Sequence, residues 1–411
     1  MGKMSCRCST IVNVKKEHIC IKNMFFFFGK MKRKGYKMRK IRSPYYVDFS
    51  VTPYCNLKCG FCSAAALGTE HGIKRLSLND IERIFDEFDK NDILRVSIEG
   101  GEPFLRDDII DILELADQHI FTYYVNTNGT LITDEIAKKI AETKVSKICV
   151  SVDGPNEEIH DLSRGVKGAF KKTINAIKLL QENNVPVDAI ITLNKINKDY
   201  VVETLKFLES IGIKNVAMML LATVGKASKN MKDIYISFEE WRSLLIELTK
   251  LKKNRQLPTD LNIVPTGEGK CPWELYLPLK LDGMESDINL WLNEDRVSSL
   301  EENEFGCTAG KESFAVDGYG NVYGCSLMVS ENELVAGNIL EQSLADIWNK
   351  ASVFEQLRKN SLFELEGGCR ECELLEKCKA GCRACAFALE KSLVASDIRC
   401  PLAKRGEKKW Q

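Results

Sequence analysis

The sequence has little histidine, no long apolar run and no net charge. Only four histidines occur in 411 residues, so mixed cysteine–histidine zinc sites cannot explain extensive metal binding. The longest apolar run, residues 24–28, is shorter than a membrane span of ~18 residues and than the core of a signal peptide. The formal net charge is zero, and we expect neither a nucleic-acid partner nor a membrane span.

Cysteine, in contrast, is abundant, with sixteen residues. A secreted protein would use them in disulfides, but the sequence has no apolar run long enough for a signal peptide and is rich in lysine and glutamate, so we do not expect secretion. Clustered cysteines in a cytosolic chain more often bind metal. Because histidine is scarce, all-thiolate sites for zinc or for iron–sulfur clusters are the expected kind. We therefore predict a cytoplasmic protein.

Charge is concentrated at the N-terminus. Residues 1–45 carry 13 Lys or Arg against one acid, a local charge of +12, which leaves −12 on the rest. We predict that residues 1–44 form a disordered basic arm or precede the true start, for which Met38 is the better candidate. The alternative is that the arm contacts a membrane or a nucleic acid.

Short apolar strands alternate with amphipathic helices through the middle of the chain. The predicted strands are 47–51, 95–99, 123–127, 147–152, 187–192 and 215–221, and the predicted helices are 79–90, 107–117, 134–142, 169–183 and 199–211. Six such units predict an α/β fold, a partial (β/α)6 barrel over residues 45–254. The chemistry of such folds lies at the carboxyl ends of the strands.

Three cysteines, Cys55, Cys59 and Cys62, directly follow the first predicted strand. Three thiolates can hold a cubane iron–sulfur cluster and leave the fourth iron without a protein ligand. A structural site would normally close with a fourth cysteine, so an open position indicates a site that binds something else. The alternatives are a three-cysteine zinc site or chance clustering.

This C-x3-C-x-aromatic-C loop, with Phe61 as its aromatic residue, resembles the hallmark of the radical S-adenosylmethionine (SAM) superfamily. The resemblance implies that SAM chelates the open iron of a 4Fe–4S cluster. One electron from the cluster would then cleave SAM to methionine and a 5′-deoxyadenosyl radical, which abstracts hydrogen from a substrate.

Further motifs of the superfamily follow in order, and the resemblance implies that their residues bind SAM. They are Gly100, Gly101, Glu102 and Pro103 after strand two, Asn128 after strand three, Ser151 and Asp153 after strand four, Arg164 in a following stretch that begins at His160, and Thr192 at the end of strand five. Glycines at such a turn let the backbone approach a ligand closely. The alternatives are that Arg164 is a surface residue and Thr192 a core residue.

Seven cysteines in the last third resemble the SPASM domain, here residues 307–405. The resemblance implies two auxiliary 4Fe–4S clusters: Cys369, Cys372, Cys378 and Cys400 would hold one completely, and Cys307, Cys325 and Cys382 would supply three ligands to the other. Residues 313–325 predict a β-hairpin. A zinc ribbon is the alternative. Residues 255–306 read as a linker of unknown role.

Other cysteines are harder to assign. Cys271 is either a fourth ligand of the incompletely ligated cluster or a packed thiol, and we favour ligation. Cys149 is predicted to be a buried strand residue, and Cys385, one turn after Cys382, to stay free.

The resemblance implies an enzyme that modifies a peptide or protein by oxidation, thioether formation or carbon–carbon crosslinking. The alternatives are a small-molecule enzyme, such as one that decarboxylates tetrapyrrole propionates, and a non-catalytic iron–sulfur protein. Ser326 stands where sulfatase-maturating members carry a catalytic Asp, so that mechanism is not carried over. A 45-residue arm is too short for the winged helix of many peptide maturases. We expect a separate recognition protein or direct docking, a ferredoxin or flavodoxin as electron donor, and an anaerobic or microaerobic host.

Overall fold

The computed structural model describes residues 44–68, 75–267, 271–292 and 303–404, so the predicted basic arm lies outside it. Within these residues ten strands form one sheet: β1 Tyr46–Ser50, β2 Arg95–Glu99, β3 Thr122–Thr127, β4 Ile148–Ser151, β5 Val187–Leu193, β6 Asn215–Leu220, β7 Asp260–Val264, β8 Ser313–Val316, β9 Asn321–Tyr323 and β10 Gly337–Asn338. The helices are α1 Leu78–Lys90, α2 Ile109–Ala116, α3 Asp134–Glu142, α4 Glu157–Arg164, α5 Ala169–Glu182, α6 Val201–Ser210, α7 Lys226–Ile234, α8 Phe238–Lys253, α9 Trp273–Leu281, α10 Leu344–Lys350, α11 Ser352–Lys359, α12 Leu375–Cys378 and α13 Arg383–Glu390.

The sheet runs in the order β10-β9-β8-β1-β2-β3-β4-β5-β6-β7. Strands β1 to β7 are parallel to their neighbours, and β8 is parallel to β1. This arrangement confirms the predicted parallel sheet of a partial barrel. In β1 the odd positions Val47 and Phe49 are fully buried, and the ring of Phe49 lies 5.7 Å from Phe85 and 5.8 Å from Phe88 of α1. The alternate residues of the strand face the barrel lumen.

The stretch read as a linker contributes to the barrel. Strand β7 pairs with β6 from Asn215↔Asp260 to Met219↔Val264, which adds a seventh parallel strand. Its two buried residues, Leu261 and Ile263, alternate with polar ones, but five residues are too few for this pattern to stand out.

The predicted β-hairpin is present as β8 and β9, which pair in antiparallel orientation around a turn at Asp317. Because β8 also pairs with β1, the cysteine-rich C-terminal region continues the barrel sheet at its first strand. In the part of the chain that the structure describes, no helix combines the length and apolar character needed to cross a bilayer.

Candidate active site

The three-cysteine loop leaves the carboxyl end of β1 and is held by the helices that follow β4 and β6. The backbone N–H of Lys58 donates to the carbonyl of Arg164 at 3.1 Å, and the N–H of Lys226 donates to the carbonyl of Cys62 at 2.9 Å. The side-chain amide of Asn230 donates to the carbonyl of Gly60 at 2.9 Å. Helix α7, after β6, therefore fixes the loop from one side, and no sequence pattern predicts this because the contacts bridge about 165 residues.

Two glycines after β2 lie directly against the cysteine loop. The N–H of Gly101 donates to the carbonyl of Thr52 at 2.7 Å. A Cβ on Gly101 would lie 2.0 Å from the carbonyl oxygen of Tyr54, and one on Gly100, whose φ is +151°, would lie 2.5 Å from that of Thr52. The close approach expected of these glycines is thus an approach to the loop that bears the cysteines.

Glu102, which follows β2, is hydrogen-bonded to residues at the carboxyl end of β3. Its carboxylate accepts hydrogen bonds from the hydroxyl of Thr127 at 2.6 Å, from the N–H of Asn128 at 2.7 Å and from the N–H of Phe104 at 3.1 Å. Burial raises the pKa of Glu102, and these three donors oppose the shift. Pro103 is buried directly after it and starts a short 3₁₀ turn. The contacts shown make Glu102 a residue that positions the loops around the site.

Arg164 is buried, not a surface residue, and is paired with Asp153 at 2.8 Å. Asp153 also accepts from the hydroxyl of Ser163 at 2.9 Å and from the N–H of Thr192 at 2.9 Å. The guanidinium contacts the sulfur of Cys59 at 4.0 Å, and its Nη2 is buried without a hydrogen-bond partner among the described residues. A buried cationic donor beside the cysteine loop suits a carboxylate ligand, because such a group is costly to leave unpaired.

The other predicted SAM-binding residues also lie near the cysteine loop or at strand ends. The side-chain amide of Asn128 donates to Asn56 at 3.0 Å and lies 3.9 Å from the sulfur of Cys55. Phe61 is buried, with Arg164 at 5.4 Å from its ring centre. Ser151 and Thr192, at the ends of β4 and β5, are half-buried, so Thr192 is not a core residue.

The protonation state of the cysteine thiols in this loop depends on their burial. Burial raises the pKa of Cys55 to about 12, and burial also raises that of Cys59, where Arg164 acts against the shift. Only a bound metal would hold both thiols as thiolates at neutral pH, because metal binding displaces their protons.

A polar network in the barrel lumen was not predicted from the sequence. The hydroxyl of Tyr46 donates to Asp48 and lies 3.0 Å from that of Tyr124. On the neighbouring strands, the amide of Asn126 donates to Glu99 at 3.0 Å. Burial, and after it the charge of Asp48, raises the pKa of Glu99 to about 8. Alternation along β1 to β3 places these side chains on one face, but only the barrel shows that this face is enclosed.

The cysteines predicted to hold the complete auxiliary cluster lie together. Cys369, Cys372, Cys378 and Cys400 line one cavity, whose wall also includes Trp273 and Asp397. Among the residues that the structure describes, no three Cys, His, Asp or Glu side chains converge as ligands of a single ion would. Four thiols that face one cavity match the four irons of a cubane cluster, so the residues present fit the predicted group.

The second set of predicted ligands is also brought together. Burial, and after it the nearby thiols of Cys307 and Cys382, raise the pKa of Cys325, so the three side chains lie close together. Cys271, the predicted fourth ligand, has its N–H bonded to the carbonyl of Lys377 at 3.2 Å, beside Cys378 of the other set. Ligation by Cys271 therefore stays a prediction.

Comparison with known families gives two matches. The model of the radical SAM superfamily matches residues 49–208, and the model of SPASM, an iron–sulfur cluster-binding domain, matches residues 307–373. They confirm the family predicted from the two groups of cysteines, and these domains imply SAM and iron–sulfur clusters as cofactors.

Relatives of more than one activity are similar to this chain. The AdoMet-dependent heme synthase of Methanosarcina barkeri (strain Fusaro / DSM 804) is 27% identical over 346 residues, which cover 84% of this chain and 93% of that protein. The mycofactocin maturase MftC of Mycolicibacterium smegmatis (strain ATCC 700084 / mc(2)155) is 26% identical over 366 residues, which cover 88% and 84%.

Solved structures share the fold. Streptococcus suis SuiB bound to S-adenosylmethionine superposes with a TM-score of 0.68 at 20% identity, covering 93% of this chain and 82% of that chain. SuiB bound to precursor peptide SuiA superposes with a TM-score of 0.69 at 20% identity, covering 96% and 84%.

Proposed function

We propose that this chain, which belongs to the radical SAM superfamily and carries a C-terminal SPASM domain, modifies a peptide or protein substrate. The observation that carries the proposal is the pair of carboxyl groups, Asp48 and Glu99, in the barrel lumen between the cysteine loop and the SPASM hairpin. With the two tyrosines and Asn126, they offer hydrogen-bonding groups that suit peptide amides or a cationic side chain. An anionic substrate would meet repulsion there.

The residues around the cysteine loop fit the cofactors of the superfamily. Cys55, Cys59 and Cys62 would hold a 4Fe–4S cluster, and the unpartnered Nη2 of Arg164 would bind the SAM carboxylate. When bound, these cofactors supply one-electron cleavage of SAM and hydrogen abstraction by the 5′-deoxyadenosyl radical. Gly100 and Gly101 hold the loop against β2, and Asp153 keeps Arg164 oriented.

Glu99 is the candidate proton acceptor. Oxidation of a substrate after hydrogen abstraction releases a proton, and Ser326 cannot take it as the Asp of other members does. Glu99 is held by Asn126 at 3.0 Å and by Ser97 at 3.4 Å, and its pKa of about 8 lies close to neutral pH. A carboxyl group with such a pKa can accept and return a proton efficiently.

A second candidate is the decarboxylation of an iron tetrapyrrole, favoured by the similarity to a heme synthase over most of both chains.

Substrate-dependent formation of 5′-deoxyadenosine separates the two candidates. The anaerobically reconstituted, reduced protein would be supplied with SAM and either short peptides encoded beside its gene or a propionate-bearing iron tetrapyrrole. We expect stoichiometric 5′-deoxyadenosine only with a peptide, together with a mass loss of two hydrogens or a crosslink. Loss of carbon dioxide from the tetrapyrrole, with unchanged peptides, would contradict the proposal and establish the second candidate.

A further inference from the structure

The two auxiliary sets of cysteines differ by one thiol. A cubane cluster has four irons, and full protein ligation takes one thiolate for each. The cavity lined by Cys369, Cys372, Cys378 and Cys400 provides four. The set around Cys325, which we call the hairpin set, provides three, namely Cys307, Cys325 and Cys382.

Cys385 lies beside the hairpin set. Its side chain is fully buried, and its thiol is hydrogen-bonded to the thiol of Cys382. Cys382 is in turn an electrostatic neighbour of Cys325. The sequence predicts that Cys385 stays free, but the structure puts its thiol in direct contact with that of a predicted ligand, Cys382.

Local helix geometry explains this contact. Cys382 is the N-cap residue directly before α13, and the N–H of Ala386 donates to its carbonyl at 3.0 Å, which closes the first turn. Residues three apart on one turn face the same side of a helix. The spacing of Cys382 and Cys385 therefore presents both thiols to the same space, as in other C-x2-C ligand pairs.

The surroundings of Cys385 suit a cluster thiolate. The backbone N–H of Thr223, in the loop after β6, donates to its sulfur. The positive charge of Arg399 lies close enough to favour the thiolate form of both Cys382 and Cys385. Its guanidinium is buried and paired with Asp397 at 2.5 Å. Amide donors to sulfur stabilise and tune iron–sulfur clusters, and a buried cation offsets the negative charge of four thiolates.

We propose that Cys385 is the fourth thiolate ligand of the auxiliary cluster held by Cys307, Cys325 and Cys382. This inference rests on the SPASM clusters of the proposed function, but not on its substrate. Cys271 then serves as a packed thiol beside Lys377. With every iron bound by the protein, this cluster transfers electrons and does not bind a substrate thiolate.

The test uses the full chain with Cys55, Cys59 and Cys62 replaced by alanine, so that only the auxiliary clusters are present. Iron content, Mössbauer spectra and EPR after mild oxidation are recorded for this protein and for versions that also carry Cys385→Ala, Cys271→Ala or, as a buried-thiol control, Cys149→Ala. An iron without a cysteine ligand is lost on mild oxidation and leaves a three-iron cluster. Binding of added cyanide reports an open iron without any further substitution.

The proposal predicts about eight irons per chain in the background protein, four in each of two cubanes, no cyanide binding and no three-iron signal. Cys385→Ala should give one three-iron cluster per chain and bind cyanide, while Cys271→Ala and Cys149→Ala should match the background. Cyanide binding or a three-iron signal in the background protein would overturn the proposal even if Cys385→Ala fails to fold. So would that signal in Cys271→Ala alone, or fewer than eight irons in the background. None of these outcomes depends on a peptide substrate, so they are distinct from a failure of the proposed function.

Discussion

The two cysteine-rich regions are built in opposite ways. In the loop after β1, three cysteines lie within eight residues, and the rest of the site comes to them from the ends of β2 to β6. In the C-terminal region the cysteines are spread from Cys307 to Cys400 and are gathered by short turns and by the hairpin on β1. A compact motif can therefore be read from sequence, whereas the completeness of a dispersed ligand set depends on contacts that only the fold provides.

The largest effect is expected from Gly101→Ala. The added Cβ would lie 2.0 Å from the carbonyl oxygen of Tyr54, a backbone atom that cannot move without displacing the cysteine loop. We expect a loss of about 3 kcal/mol in the free energy of unfolding, and loss of the first cluster with about four of twelve irons.

Gly68→Ala is the matched control, because no atom of the described residues lies within 4 Å of its added Cβ. Thermal unfolding and iron content measure both variants. Retention of all irons by Gly101→Ala would contradict the role given to this glycine.

A smaller effect, confined to SAM binding, is expected from Arg164→Lys. Lysine keeps the charge but loses the fork whose Nη2 is directed at the site, so the Kd for SAM should rise roughly ten- to a hundredfold. Arg106→Lys is the control, since Arg106 is also buried and ion-paired, with Asp108 at 2.6 Å, but supports the carbonyls of Val51 and Leu76. Equal effects of both variants on SAM affinity, measured by equilibrium dialysis, would mean that Arg164 acts only through stability.

Glu99→Gln should slow product formation at least tenfold while SAM still binds. A carboxyl group must be ionised to accept a proton, so wild-type turnover should rise as the pH rises through about 8, and the Gln variant should lose this rise. The control is Asp188→Asn, a carboxylate paired with Lys147 and Asn215 elsewhere in the lumen. An unchanged pH profile in Glu99→Gln would remove Glu99 from the mechanism.

The smallest effect concerns His160, which is buried and accepts a hydrogen bond from the N–H of Asp153 at 3.2 Å. Burial, and then the charge of Arg164, lowers its pKa from 6.5 to about 3. Below pH 6.5 the unfolded chain binds a proton that the folded chain does not, so stability should fall as the pH falls toward 3. His160→Asn should remove roughly 1 kcal/mol per pH unit of this dependence between pH 6 and 5, as measured by urea unfolding. Equal slopes for both proteins would contradict the assignment.

These residues show how far sequence reasoning reaches. Strands β1 to β6 lie within one residue of their predicted bounds, because β-branched runs between helical patterns are a strong local signal. The position of Arg164 beside Cys59 followed only from family resemblance, and the lumen pair of Asp48 and Glu99 did not follow at all. Contacts between β1 and β2, or between α7 and the cysteine loop, join residues distant in sequence, and no local pattern encodes them.

The central claim is that the loop of Cys55, Cys59 and Cys62 is the radical site and that the C-terminal cysteines hold separate clusters. The most direct measurement compares the reduced wild-type protein with the variant in which these three cysteines are alanine, with both 5′-deoxyadenosine and iron content determined anaerobically. We predict that the variant forms no 5′-deoxyadenosine and keeps about eight of twelve irons. Undiminished 5′-deoxyadenosine from the variant, or loss of all its iron, would contradict the account.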